Sequence, residues 1–394
     1  MKLIYKQHKK NIVIIPKGWK IKELGSIVDF LDSSRKPIKD NDRLKIQGNI
    51  PYYGASGIVD YINDFLFDED LILLGEDGEN IINRNSRLAF KITGKSWVNN
   101  HAHVLRINQE VDINYLSEYL ESLNYEQYNT GTAQPKLNKS TCLGIPVLLP
   151  PRVEQRAIAT ALNDTDALLE SLKCLITKKR AIKQATMQQL LSGKTRLPGL
   201  KSAWTDTSLG KIIERFIGGG TPSRSVSEYW GGDIPWVSTK DLASFSPYSS
   251  QESITKKGLN NSSASLIPAG TPIISTRMAV GKTVIYKTDV AINQDMKALI
   301  PKSKTYAKFL FHWLNHHSNK ICSSSSGSTV SGISIIDLKR LEMRIPDIKE
   351  QNYITEILDE MDAEISILES RIRKTKSLKQ AMMQELLTGR TRLV

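Results

Sequence analysis

Cysteine is scarce: Cys142, Cys174 and Cys322 are three in 394 residues, far apart and odd in number, so neither a disulfide framework nor a zinc site is encoded. No apolar run approaches the ~18 residues of a membrane-spanning helix. The basic opening from Met1 to Lys10 leads only into Ile12–Ile15 and Pro16, too short for a signal-peptide core, and a cytoplasmic protein is expected. Catalytic signatures are missing too. A phosphate-binding loop needs Gly-x4-Gly-Lys-[Ser/Thr], so that backbone amides surround the phosphates. The three Gly-Lys-[Ser/Thr] tripeptides, at Gly94, Gly193 and Gly281, carry Ala89, Gln188 and Thr276 where the first glycine belongs. The only Pro-Pro, Pro150-Pro151, lacks the flanks of an adenine methyltransferase loop and reads as a helix start. His101 and His103 form a His-x-His pair with no further ligands at usual spacing, which argues against a metal site. Gly75-Glu76-Asp77-Gly78 lacks calcium-loop spacing and reads as a turn. Gly218-Gly219-Gly220 has no following lysine and reads as a flexible turn.

What is abundant is positive charge and repetition. Lys plus Arg number 54 against 41 Asp plus Glu, a net charge of +13 that attracts polyanions such as nucleic acid. The chain is also written twice. Residues 154–197 match 350–393 at a constant offset of 196, with 20 of 44 positions identical. Both copies open with Glu-Gln (Glu154-Gln155, Glu350-Gln351) and close with Thr-Arg-Leu (Thr195-Arg196-Leu197, Thr391-Arg392-Leu393). Ile354, Leu358, Met361, Ile365, Leu368 and Ile372 alternate steps of four and three; Ile158, Leu162, Leu169, Leu172 and Ile176 follow the same frame, with Thr165 the exception. That is a heptad seam, lasting nearly three heptads before its register shifts. Each copy reads as a helix of ~40 residues, or ~60 Å, ending at Gly193 or Gly389. Two amphipathic helices packed on their own domains would satisfy the pattern; two seams in one chain also fit each other as an antiparallel pair.

The segments before the helices correspond weakly. Trp19 and Leu24-Gly25 parallel Trp204 and Leu209-Gly210; Ile50-Pro51-Tyr52 parallels Ile234-Pro235-Trp236; Asn99-Asn100 parallels Asn293-Gln294; Gly131-Thr132 parallels Gly327-Ser328. Short β-rich runs (Leu71–Leu74, Pro272–Ser275, Thr283–Tyr286), polar turns and a helical stretch such as Tyr306–Asn315 make each unit a small α+β domain. The expected boundaries are a first domain at 1–150, a central helix at 151–193, a second domain at 194–345 and a C-terminal helix at 346–394.

Gly219-Gly220-Thr221-Pro222-Ser223, followed by Tyr229-Trp230-Gly231-Gly232-Asp233-Ile234-Pro235-Trp236-Val237, resembles a block of the target-recognition domains of type I restriction-modification specificity subunits. Pro51–Gly57 and Val98–His103 look like another class of that domain, and the helices are similar to the family's spacer helices. The resemblance implies an α+β fold: two small recognition domains joined by two long antiparallel coiled-coil helices in a pseudo-twofold internal repeat. It implies a non-enzymatic subunit, each domain reading one half-site of a bipartite duplex DNA target across a nonspecific spacer. Two modification subunits carrying S-adenosylmethionine would methylate adenine, and two restriction subunits would use ATP and Mg; this chain would bind no cofactor itself.

Residues able to neutralise phosphates or pair with base edges in the family-like blocks are the candidate contacts. In the first domain they are Arg35 and Lys36 (beside Ser34), Tyr53, Asn99, Asn100, His101, His103, Thr132, Gln134 and Lys136. In the second they are Thr221, Ser223, Arg224, Trp236, Thr239, Lys240, Arg277, Lys282, Asn293, Gln294, Ser328 and Thr329. Tyr53 and Trp236, at matching places, are equally candidates for domain core. The competing readings are a standalone DNA methyltransferase or nuclease with an unrecognised site, and a basic coiled-coil scaffold.

Overall fold

The computed structural model describes residues 15–200, 202–323 and 332–393. Ser328, Thr329 and the Gly327-Ser328 anchor lie outside them. The chain forms two compact units, Met1–Cys174 with Ser370–Val394, and Leu175–Glu369. The division falls within both long helices rather than at their ends, because half of each helix buries its apolar face on one domain's core.

In the first unit, an antiparallel sheet is ordered Val28–Phe30, Ala102–Ile107, Leu71–Gly75, Ala89–Ile92. A second sheet is ordered Gly57–Ile62, Gln47–Gly54, Lys95–Val98, Phe67–Asp68, with one parallel pairing between Gln47–Gly54 and Lys95–Val98. The ribbon Lys20–Glu23 with Pro146–Leu149 closes the domain. The second unit repeats this topology: Ile213–Gly218, Met296–Pro301, Pro272–Ser275, Thr283–Ile285 in one sheet; Glu252–Ile254, Trp230–Val237, Val290–Ile292, Ser265–Ile267 in the other, again with its one parallel pair; and the ribbon Thr205–Ser208 with Glu342–Ile345. Leu71–Gly75 and Pro272–Ser275 are buried on both faces, which is why they read as unbroken apolar runs rather than alternating ones.

The helices are Arg152–Leu190 and Ile348–Leu386, 39 residues each. Within the first unit they run antiparallel: Ile158 and Leu162 share a core with Leu386 and Leu387, and Lys379 donates to Asp166 at 2.6 Å. Within the second unit the same geometry recurs, with Leu190 and Leu191 in one core with Ile354 and Leu358, and Lys183 bonded to Asp362. The seam does not shift register. Where the apolar pattern fades, the heptad positions pass to Lys183 in one helix and to Thr375 and Lys379 in the other. Thr375 is buried, and each lysine head reaches an aspartate on the facing helix. Long lysine stems cover the seam while their charges pair at its rim. Lys179 with Glu364 at 2.7 Å and Arg180 with Glu369 at 2.6 Å add exposed pairs worth little individually.

The matching ends of the two repeats answer each other. Glu154 is fully buried and receives Trp19 Nε1 at 3.0 Å and a two-pronged Arg392, one prong at 2.6 Å. Glu350, also buried, receives Trp204 Nε1 at 3.2 Å and Arg196 at 2.8 and 2.7 Å. The Glu that opens one helix therefore binds the Arg that follows the other. The adjacent glutamines hold the domains: Gln155 Oε1 accepts from the Asp112 amide at 2.8 Å, and Gln351 Oε1 from the Tyr306 amide at 2.8 Å. Gly193 and Gly389 both take φ of +71° and lie against Trp204 and Trp19, so a side chain there would meet strain and an indole ring together. Among the described residues no helix is long and apolar enough to cross a membrane.

Candidate nucleic-acid interface

In each unit, loops meet around the end of a central strand of the first sheet. The first-unit strand ends at Gly75, and Glu76-Asp77 lies between two loops: the Glu76 amide donates to the His101 carbonyl at 2.8 Å, and the Leu137 amide to the Glu76 carbonyl at 2.7 Å. Asp77 bridges Lys136. In the second unit the Thr276 amide donates to the Asp295 carbonyl at 2.8 Å, the Ile333 amide to the Thr276 carbonyl at 3.0 Å, and Arg277 bridges Gly332. Glu76 thus corresponds to Thr276, Asp77 to Arg277, and His101 to Asp295.

This scaffold brings most first-unit candidates together, but in two different roles. Arg35 is held inward, donating to Glu76 Oε2 and the Ala102 carbonyl, both at 2.7 Å, and through Nε to the Asp32 carbonyl at 3.1 Å. Its donors are spent on the loops, so it positions them rather than reaching a phosphate. His103 is 1% exposed, with Nδ1 at 2.7 Å from Asp32 and Nε2 at 2.8 Å from the Leu137 carbonyl. Both partners accept, so the ring is a doubly donating imidazolium. Burial opposes that charge, but the bonds to Asp32, Cys142 and the Leu137 carbonyl outweigh it and push the pKa up to about 10. Burial likewise works against ionisation of Glu76, and Arg35 and His103 nevertheless keep it below the usual carboxylate range. Asn99 is buried, its Oδ1 accepting from the His101 amide at 2.8 Å. These are loop-holding groups; the sequence placed them among the contacts because side-chain type alone does not reveal which way a residue faces.

The outward set is Lys36, Asn100, His101, Thr132, Gln134 and Lys136, all exposed. His101 stands against Asp77 at 3.0 Å, and Lys136 reaches Glu76 at 3.3 Å. His101 and His103 are thus divided between surface and core rather than facing one ligand.

In the second unit, Asn293 is buried and its Oδ1 accepts from the Asp295 amide at 3.1 Å, repeating the Asn99 turn. Gln294, the counterpart of Asn100, is exposed and accepts from Thr221 Oγ1 at 2.7 Å. Trp236 is 3% exposed, and its Nε1 donates to the Gly220 carbonyl at 3.0 Å. In the first unit the indole of Trp97 does the same for the Lys36 carbonyl, at 2.6 Å. Trp236 is therefore core. Its counterpart is the buried Tyr52, not Tyr53: the parallel pairings set Tyr52 against Trp97 and Trp236 against Ala291, and Tyr53 matches Val237. Tyr53 itself is half-buried against Phe90. Gly219 and Gly220 are not a flexible turn; a Cβ on Gly219 would lie 1.9 Å from Ile292 O in the sheet and one on Gly220 1.9 Å from Ser263 Oγ, so glycine is needed for close approach at both.

Arg224 stacks 3.8 Å above Trp230 and pairs with Glu252. Ser223 bonds Ser225 at 2.8 Å, and Thr239 and Lys240 begin a capped turn whose last carbonyl, at Leu242, accepts from Lys282. Arg277 is exposed, 3.9 Å from Asp295. Missed from the sequence were Asp32, Glu76, Asp77, Asp295, Trp97 and Lys297. Lys297 takes the place of His103 in the strand pairing, and burial, with Arg277 nearby, lowers its pKa despite Asp295. Acidic residues had been passed over because the partner sought was an anion.

The family model for the type I restriction modification DNA specificity domain matches the chain twice, over residues 16–180 and 201–376. The chain belongs to that family. The EcoR124I/EcoR124II specificity subunit of Escherichia coli is 31% identical over 258 residues, 62% of this chain and 60% of that one. The MjaVIII specificity subunit of Methanocaldococcus jannaschii is 21% identical over 414 aligned residues, covering 96% and 94%. The crystal structure of a type I system S subunit from M. genitalium superposes with a TM-score of 0.62 at 15% identity, over 97% of this chain and 98% of that one, showing the same fold.

Proposed function

We propose that this chain is the DNA-reading subunit of a type I restriction-modification complex. Each unit reads one half of a split target in duplex DNA, and the chain itself performs no chemistry. The observation that carries this reading is the pair of equivalent loop clusters, alike in backbone and buried turns but different in side chain at matched positions: Asp77 against Arg277, His101 against Asp295, Asn100 against Gln294. One frame displaying two sets of polar groups suits recognition of two unlike half-sites. The reading extends to assembly with two modification subunits, which would hold S-adenosylmethionine and methylate adenine, and two restriction subunits, which would hold ATP and Mg, in the cytoplasm. The long helices would set the distance between half-sites, since 39 helical residues extend about 58 Å at 1.5 Å per residue.

The test is to co-express the chain with its modification subunits and map methylated adenines across a genome. A bipartite motif is expected. Removing one heptad from each long helix, centred on Leu172 and on Ile372, takes out about 10 Å and is expected to shorten the nonspecific spacer by about three base pairs while leaving both half-sites unchanged. Methyl transfer by the chain alone, or a single undivided motif, would overturn the reading.

A further inference from the structure

Gly78 and Met278 occupy the same place in their units, one residue beyond the matched pair Asp77 and Arg277. Both have left-handed backbone, φ +106° at Gly78 and +64° at Met278. Glycine takes that conformation freely; a residue with a Cβ is disfavoured there. The turn itself does not call for the side chain, since the first unit makes it with glycine, and a Cβ built on Gly78 meets nothing within 4 Å.

The other left-handed residue with a side chain among those described, Arg84, shows what ordinarily holds one. Its guanidinium pairs with Glu121 at 2.9 Å and lies over the Tyr125 ring at 5.6 Å. Met278 instead is 75% exposed, the most exposed large apolar residue among those described. Nor is it on a loose tip. Ser275 Oγ donates to the Arg277 carbonyl at 2.7 Å, the Ala279 amide to the same carbonyl at 2.8 Å, the Gly281 amide to the Ser275 carbonyl at 2.9 Å, and Val280 is buried. An apolar side chain is thus fixed outward, at a backbone position that disfavours it, beside the exposed Arg277. Backbone strain of this kind persists where function uses it.

We infer that Met278 is a specificity-determining residue of the second half-site, its thioether packing against the C5 methyl of a thymine. The inference rests on the reading of the chain as a DNA-recognition subunit. Polar edges line the major groove, and the thymine methyl is the apolar group offered there; an unbranched, polarizable side chain adapts to it well.

The experiment uses the complex with its modification subunits and duplexes in which each thymine of the target is replaced singly by deoxyuridine. For the unaltered chain, one replacement in the second half-site weakens binding about fourfold, the worth of one methyl group kept from water. Met278→Gly binds the parent duplex more weakly by a similar factor, becomes indifferent to that replacement, and melts no lower than the parent. Met278→Leu retains the discrimination. If no uracil position couples to residue 278, the inference is overturned, whether the glycine variant binds like the parent or loses affinity equally on thymine and uracil. The latter result identifies a wedge between base steps rather than a methyl contact. Absence of sequence preference in both half-sites would count against the DNA-reading role itself, a different outcome.

Discussion

Replacing Arg392 by alanine isolates the contribution of the link between helix ends in the first unit. Glu154 has no exposed surface, and Arg392 supplies its two charge-assisted hydrogen bonds; removal leaves a buried carboxylate without a cation, held by Trp19 Nε1 and the Leu393 amide. Truncating one member of a buried pair costs about 3–5 kcal/mol, and because Arg392 is 31% exposed, so that water can enter behind it, the lower end, about 3 kcal/mol, is expected. For a unit of this size that lowers the melting temperature by about 6–12 °C. The acid limb gives a second signature. Burial works against the Glu154 charge, but Arg392 and Trp19 still hold its pKa below 4.5. The stability gained is therefore full above the unfolded carboxylate pKa and lost as pH falls through the lower folded one. Calorimetry between pH 7 and 3 should show the parent approaching the variant as acid is added. Arg196→Ala, breaking the matching pair with Glu350, should cost a similar amount. A loss under about 0.5 kcal/mol in both variants, within the scatter of surface substitutions, would refute the argument that these buried pairs fasten the helices to the domains.

His103→Gln should abolish a pH dependence: with its folded pKa near 10 against 6.5 unfolded, the native ring stabilises fully below 6.5 and loses that contribution as pH rises through about 10, which denaturant unfolding at pH 6, 8 and 10 would record. Asn100→Ala should weaken one half-site by about 1–3 kcal/mol in DNA binding without changing the melting temperature. Asn99→Ala, which removes the acceptor for the His101 amide, should instead lower stability by about 1 kcal/mol. Gly193→Ala and Gly389→Ala should each destabilise by more than about 1 kcal/mol in thermal melts, since both strain the backbone and crowd an indole.

The long helices were legible because their signal is periodic and local: a heptad seam, an absence of proline, a glycine at each end. The apparent loss of register was a change of side-chain chemistry, Lys183 and Lys379 occupying seam positions that a search for apolar residues skips. The domains were legible where strands are largely buried, as at Leu71–Leu74 and Thr283–Ile285, and at the amphipathic helix Ala307–His316. The parallel pairings of Gln47–Gly54 and Trp230–Val237 join residues 45 and 55 apart, Tyr52 with Trp97 and Trp236 with Ala291, and leave no local pattern. At the interface, residue type pointed to the right loops. It did not separate Asn99 from Asn100, neighbours with identical side chains, one buried in a turn and one exposed. Only the fold makes that distinction.

The exchange of Asp77 for Arg277 bears on how the two ends respond to ionic strength. A guanidinium that meets a phosphate displaces condensed cations from the duplex, so its contribution decays steeply as salt is added; a carboxylate in the same seat displaces none. Mutating the second half-site should therefore flatten the salt dependence of binding more than mutating the first. In concentrated electrolyte the share contributed by Arg277 would fade first, and what this one seat adds to discrimination would drift toward the Asp77 half of the sequence.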